Sequence, residues 1–336
     1  GPEGAAQAAR WPFTIRAKIA DAAIEATGAS NAPFDISGLE ADLDLNGENL
    51  QSLQRLIPFD GYAEGPFRLA FQLTRDGGGY GLRNIAGALD APAPLGRVAV
   101  TAGEASVSAD NALSANLEGG WRQIPAKLKL DLTGADRPTP GAPRELEVTA
   151  TLGDTALSGR LQLAPGEERP KISGDLSFAK FDLTGIAPDE EASRKPGLPQ
   201  GGSQKVTGKT WSEHPLPLAV LRTFDADLTL KADLVTAERI QAKDVRSHVL
   251  LDDGRLRLEA FSASLPGLPL TGRATLDTAA KPPAIDLALA VERVQLAPAF
   301  SFLSPSPKTG GTLRAVALKA KAQGDTPAAL IKTLDD

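Results

Sequence analysis

Few side chains in this 336-residue chain are suited to chemistry: it has two histidines, no cysteine and no methionine. His214 precedes Pro215 in "SEHPLPL", and His248 lies in the alternating stretch "RSHVLL". Neither stands among carboxylates spaced for a metal. No serine sits in a nucleophile-elbow sequence that would use a histidine base. Without cysteine, disulfides and thiolate metal sites are excluded. "GGSQKVTGKT" at residues 201–210 imitates a phosphate-binding loop, but the required first glycine falls on Ser203 and Pro-rich chain precedes it. "DGGGYG" at residues 76–81 lies between two alternating runs, so it reads as a hairpin turn and not as a dinucleotide fingerprint. The acids Asp189, Glu190 and Glu191, and Asp335 with Asp336, read as solvated charge runs. The sequence therefore predicts no catalytic residue, no metal site and no cofactor, and a protein that is not an enzyme.

Composition narrows the partners. The net charge of −6 and an aromatic content of 5% give neither a basic patch nor stacking side chains for nucleic acid. Gly1-Pro2 reads as the scar of a removed expression tag, and the chain as a segment of a longer protein. No run approaches the ~18 apolar residues that span a bilayer, and no signal peptide is visible.

The elements that dominate are strands. Leu39, Ala41, Leu43 and Leu45 alternate with Glu40, Asp42 and Asp44; Phe67, Leu69, Phe71 and Leu73 alternate with Arg68, Ala70 and Gln72. Similar sets are Leu128/Leu130/Leu132, Leu146/Val148/Ala150, Leu228/Leu230/Ala232 and Leu287/Leu289/Val291. Period two puts apolar side chains on one face of a strand and polar ones on the other. Short amphipathic helices are predicted at residues 46–57 and 216–224, and at "TPAALIKTL", where Thr326 is a candidate cap and Pro327 suits the first turn. Residues 19–29 are compatible with helix or strand. Residues 187–211, rich in Gly, Pro, Ser and charge, read as a flexible linker between a first β-module at 3–186 and a second at 212–336.

The chain also repeats itself. Residues 155–183 and 268–296 match without a gap at Leu157/Leu270, Gly159/Gly272, Arg160/Arg273, Leu163/Leu276 and Leu176/Leu289, an offset of 113. "GYGLRNIAGAL" ending at Leu89 resembles "GRLRLEAFSASL" ending at Leu265, an offset of 176. "LNGENLQSL" ending at Leu53 resembles "AQGDTPAAL" ending at Leu330, an offset of 277, as though a further repeat began there. Copied modules that stack build an extended sheet. The fold expected is mainly β: an extended, curved antiparallel sheet of repeated β-modules with a few short helices. Pattern alone leaves open whether its apolar face closes as a sandwich or stays open. Ala41, Gly87, Ala105, Ala150, Gly159 and Ala232 on that face would leave room for a ligand or for a close-packed second sheet.

Residues 33–73 resemble the AsmA family of bacterial envelope proteins. A strand of alternating Leu and Asp ends in Gly47, a short helix carries Leu50, Leu53 and Leu56, and Gly65, Pro66 and Phe67 start the next strand. "SEHPLPLAVLRTFDADLTLKA" resembles a second family segment through Pro215, Leu216, Pro217, Leu218, Leu221, Arg222, Asp225, Ala226, Asp227 and Leu228. Residues 252–277 resemble the hairpin and strand that follow. Residues 91–143 depart from the pattern by adding strands, which leaves the strand count of the first module open.

The resemblance implies a segment in the periplasm, anchored to the inner membrane by a part outside it. Its implied partner is phospholipid or another envelope lipid, with outer-membrane components as further partners. An apolar β-groove would shield acyl chains during transfer between membranes, lined by Leu43, Leu45, Phe67, Leu69, Phe71, Leu161, Leu176, Phe178, Leu228, Leu230, Leu258, Leu287 and Leu289. The alternatives are an assembly module for outer-membrane proteins, a structural spacer with closed apolar faces, and a glycan-processing β-solenoid. The last lacks a recognisable pair of catalytic carboxylates.

Overall fold

The structure is a computed structural model. It describes residues 10–32, 36–55, 64–76, 78–91, 96–133, 142–166, 169–182, 218–237, 240–265, 268–295 and 311–334. The fold is mainly β, with 74% of the described residues in strands. The chain divides into two compact units, Gly1–Gly166 and Glu167–Asp336. The predicted linker at 187–211 lies outside the described residues.

The first unit is an antiparallel meander of ten strands. These are β1 (Trp11–Ile19), β2 (Ala22–Ser30), β3 (Glu40–Gly47), β4 (Phe67–Asp76), β5 (Gly79–Asp90), β6 (Arg97–Val107), β7 (Leu113–Trp121), β8 (Ile124–Leu132), β9 (Arg144–Leu152) and β10 (Thr155–Ala164). Each pairs antiparallel with the strand before it. The extra strands expected within residues 91–143 are β6, β7 and β8. The ambiguous stretch at 19–29 is strand: Ile24 and Ala26 pair with Leu45 and Leu43 of β3. A short 3-10 turn, η1 (Leu50–Arg55), stands where the first amphipathic helix was predicted.

The second unit holds seven strands: β11 (Lys171–Asp182), β12 (Asp225–Ala237), β13 (Ile240–Asp252), β14 (Arg255–Leu265), β15 (Leu268–Asp277), β16 (Ala284–Gln295) and β17 (Thr312–Gln323). The pair β11–β12 is parallel, and the rest form an antiparallel meander. The second predicted helix is the 3-10 turn η2 (Leu218–Arg222). The third is the α-helix α1 (Pro327–Lys332), with Thr326 as its N-cap, accepting from the Ala329 N–H at 3.1 Å.

Three repeats seen in the sequence recur as structure. An offset of 113 carries the bounds of β10 onto β15 and those of β11 onto β16. An offset of 176 carries β5 onto β14, and with it an unusual backbone: Asn84 (φ 54°) and Ala260 (φ 48°) both sit in the left-handed region. Each marks a register shift of its strand. Such bulges bend a strand and sharpen its twist, and the sheets are curved and not closed into a barrel. The offset of 277 carries β3 and η1 onto β17 and α1.

Candidate binding face

The ladders sort the side chains of the first unit into two faces. One row of facing residues runs Ile24, Leu45, Leu69, Gly87, Val100, Gly119, Ala126 and Leu152 across β2 to β9. A second runs Gly28, Ala41, Leu73, Leu82, Ala105, Ala115, Leu130, Val148 and Gly159 across β2 to β10. Leu43 lies between these rows, beside Ala26 and Phe71. Leu161 faces Leu146 at the far end. The other face is charged: Arg16 pairs with Glu25 at 2.8 Å, Lys127 with Glu118 at 2.7 Å and Arg160 with Glu147 at 2.7 Å.

The second unit repeats this division. Gly174, Leu228, Val249, Leu258, Ala274, Leu287 and Ala320 form one apolar row. Ile172, Ala226, Leu251, Leu256, Leu276, Ile285 and Ala322 form the next. Leu176 faces Leu230, Phe178 faces Ala232, and Leu289 faces Gly272. The opposite face carries Arg255 on Asp277 at 2.6 Å and Lys321 near Asp286 at 3.5 Å. The hydrogen bond from Arg255 holds the Asp277 carboxyl below its ordinary value, and the same bond raises the Arg255 guanidinium above its own.

The predicted lining residues therefore fall on one face in each unit. Leu43, Leu45, Phe67, Leu69, Phe71 and Leu161 share the apolar face of the first; Leu176, Phe178, Leu228, Leu230, Leu258, Leu287 and Leu289 share that of the second. All but Phe67 are half-buried. Sequence reading missed Ile24, Val100, Leu256 and Leu276, which complete the rows, and Leu117, which lies between the rows of the first unit beside Gly103 and Leu128. Their signal was present as alternation, but bulges shift its phase. In β5 the apolar residues Leu89 and Gly87 give way to Leu82 and Tyr80 across the bulge, from odd positions to even.

Neither apolar face is packed as a closed core. Among the described residues no large side chain is fully buried, and the buried apolar residues are mostly alanine. A sandwich would bury its Leu and Phe side chains against a facing sheet. Here the strands shield one another only along the ladder. The faces are covered locally at their ends by the short helices. In the first unit Asp21 tethers η1: it accepts from the Asn49 N–H at 2.8 Å and from the Ser52 hydroxyl. This sets Leu53 and Leu50 over Ala22, Phe67, Leu45 and Leu89, a small apolar cluster. In the second, the Thr333 hydroxyl donates to the Gln323 carbonyl at 2.6 Å and holds α1 against β17.

The remaining short helix, η2, is fixed differently. Arg222 of η2 donates through Nη2 to the Thr278 carbonyl and through Nε to its hydroxyl at 3.2 Å. Thr278 in turn donates to the Gly254 carbonyl at 2.8 Å. A side chain at Gly254 (φ +74°) would meet Arg222 and Thr278, so glycine is needed there for both conformation and space.

The other candidate groups are remote from this face. His248 lies on the charged side, where Nε2 is 2.8 Å from Asp227 Oδ1 and both groups are well exposed. His214 and residues 201–210 lie outside the described residues. Of the "DGGGYG" stretch, Asp76 ends β4 and faces Gly79, which opens β5; Gly77 lies outside the described residues. Among the described residues there is no cluster of His, Asp and Glu able to hold a metal. Among them also, no helix is long and apolar enough to cross a membrane.

An apolar face left uncovered among the described residues, built from repeated strand modules with short helices at its ends, defines a class of protein that offers a hydrophobic surface. The AsmA family model matches residues 16–335, nearly the whole chain, and the chain belongs to the AsmA family. Comparison with curated proteins and with solved structures finds no match.

Proposed function

We propose that this chain is a lipid-binding, lipid-transfer segment that works in the periplasm, between inner and outer membrane. Acyl chains lie along the apolar rows and headgroups remain in water. The observation that carries this reading is the apolar face itself, which no second layer covers among the described residues. Contiguous apolar surface of this extent on a folded protein calls for an apolar occupant. A lipid tail supplies one. Each methylene removed from water is worth about 0.8 kcal/mol, so a surface that keeps a long chain covered along its path removes most of the barrier to leaving a membrane. The charged face opposite keeps the sheet soluble, and its short ion pairs cross-link neighbouring strands without occupying the apolar side.

The small residues fit this use. Gly87, Gly119, Ala126, Ala105, Ala115 and Gly159 put little side chain on the apolar rows between the leucines. Membership in the AsmA family supports the reading. The test is titration of delipidated protein with a fluorescent phospholipid. Saturable uptake, displaced by unlabelled envelope lipid, is expected. Absence of uptake under conditions where the protein remains folded would remove the proposal.

A further inference from the structure

Two copies of one hairpin end differently. The offset of 176 carries the end of β4 and the start of β5 onto those of β13 and β14. In the second unit the last facing pair of the apolar phase is Leu251 and Leu256. At the same place in the first unit stand Arg75 and Tyr80. Arg75 follows Leu73 by two residues and Tyr80 precedes Leu82 by two, so both belong to the apolar face. The row they open continues through Val107, Leu113, Leu132 and Leu146, all apolar.

The two ends also differ in cover. Leu251 is 3% exposed, and the turn after it sets Gly254 against Arg222 of η2. Tyr80 is 41% exposed. Arg75 is half-buried, with its guanidinium 5.2 Å from the centre of the Tyr80 ring. Among the described residues neither the Arg75 side chain nor the Tyr80 hydroxyl has an ion pair or a hydrogen bond. Arg144, in the apolar phase of β9, shows what an arginine at this end does when the fold uses it. Its Nε and Nη2 donate to the Thr133 carbonyl at 3.2 and 2.9 Å, and Nη2 also donates to the Asn111 carbonyl.

Arg75 is thus a cation at the rim of an apolar face, with its stem among apolar side chains and no acid on its head. A guanidinium fits two oxygens of a phosphate at once. The phenol beside it adds a donor, and its ring suits a boundary between apolar surface and water. We propose that Arg75 and Tyr80 are the headgroup site of the first unit's apolar face, and that the lipid held there carries an anionic phosphate headgroup. This inference rests on the lipid reading and names the class of lipid. The tails cross Leu73 and Leu82, the next apolar pair inward, while the phosphate stays at the strand ends. The second unit, with leucines at the same place, holds tails without this contact.

The test titrates the delipidated full chain with phosphatidylglycerol and with diacylglycerol of the same tails, each labelled with the same fluorophore at a tail end. The unaltered chain is expected to show a tighter class of site for phosphatidylglycerol that diacylglycerol does not show. Arg75→Gln lowers the affinity of that class about tenfold and leaves diacylglycerol uptake unchanged. Arg75→Leu combined with Tyr80→Leu copies the pair with which the second unit folds, and gives the same loss. Arg75→Lys keeps part of the preference. Inorganic phosphate, titrated alone, is the third arm and is expected to bind far more weakly than the phospholipid. Phosphatidylglycerol affinity that ignores both variants, while diacylglycerol is taken up, overturns the inference and leaves the lipid reading standing. Uptake of neither lipid removes that reading and this inference with it. Inorganic phosphate that binds through Arg75 as tightly as the phospholipid assigns the pair to a free anion and overturns the headgroup assignment.

Discussion

Leu43→Gln distinguishes an open apolar face from a closed core. Leu43 stands in the middle of β3, facing Ala26 and Phe71, and is half-buried by these ladder neighbours alone. In a closed sandwich, loss of a leucine and burial of an amide would together cost about 3–5 kcal/mol. On an open face the glutamine amide reaches water. Only part of the 1.5–3 kcal/mol of a buried leucine is then forfeited, about 1 kcal/mol. Lipid binding responds more sharply. If half of the four side-chain carbons face the acyl chain, about two methylene equivalents are lost, near 1.5 kcal/mol or roughly tenfold in affinity. The assay is urea unfolding followed by circular dichroism, run beside the phospholipid titration. Asp44→Asn, one residue along and on the charged face, is the control and leaves both readouts unchanged. Unfolding of Leu43→Gln at a cost above about 3 kcal/mol, or an unchanged lipid affinity, would refute the reasoning.

Other consequences are local. Phe67→Ala empties the cluster under η1 and destabilises the first unit by about 3 kcal/mol, read as faster hydrogen exchange in β3 and β4. Thr326→Ala removes the cap of α1 at a cost of about 1 kcal/mol, seen as increased exchange at Ala329. Arg160→Gln, which removes the exposed pair with Glu147 without setting a like charge opposite it, leaves the unfolding midpoint nearly unchanged and lipid uptake intact. The Asp277 carboxyl is held below its ordinary value, so its contribution is complete above the usual carboxylate range near pH 4 and is lost as pH falls through the lower folded value. Asp277→Asn removes that part of the acid sensitivity, measured as unfolding midpoints between about pH 5 and pH 2.

Much of this was legible in the sequence, for a physical reason. A sheet with one wet face writes its faces as alternation, and a copied module writes them twice. Hence β10 and β15, and β11 and β16, share bounds under the 113-residue offset, and the lining residues fall on the apolar face of each unit. What was hidden depends on backbone states that residue type does not announce. Ala260 takes φ 48° with nothing in its side chain to favour it, and the phase of the apolar face then moves from Leu256 and Leu258 to Phe261 and Ala263. The parallel pairing of β11 with β12 was equally silent, because alternation along a strand does not encode the direction of its neighbour. The two helices read from Leu spacing settled as 3-10 turns of six and five residues, η1 held by Asp21 and η2 by Arg222, and short connecting pieces of this kind are where 3-10 geometry is common.

Native mass spectrometry of the purified chain, with organic extraction of anything bound, tests the central claim most directly. An open apolar face that carries lipid predicts stoichiometric adducts which the extract identifies as envelope lipid, and which return when delipidated protein is incubated with such lipid. A mass that remains that of the bare chain after the same incubation, with the fold intact, would contradict it.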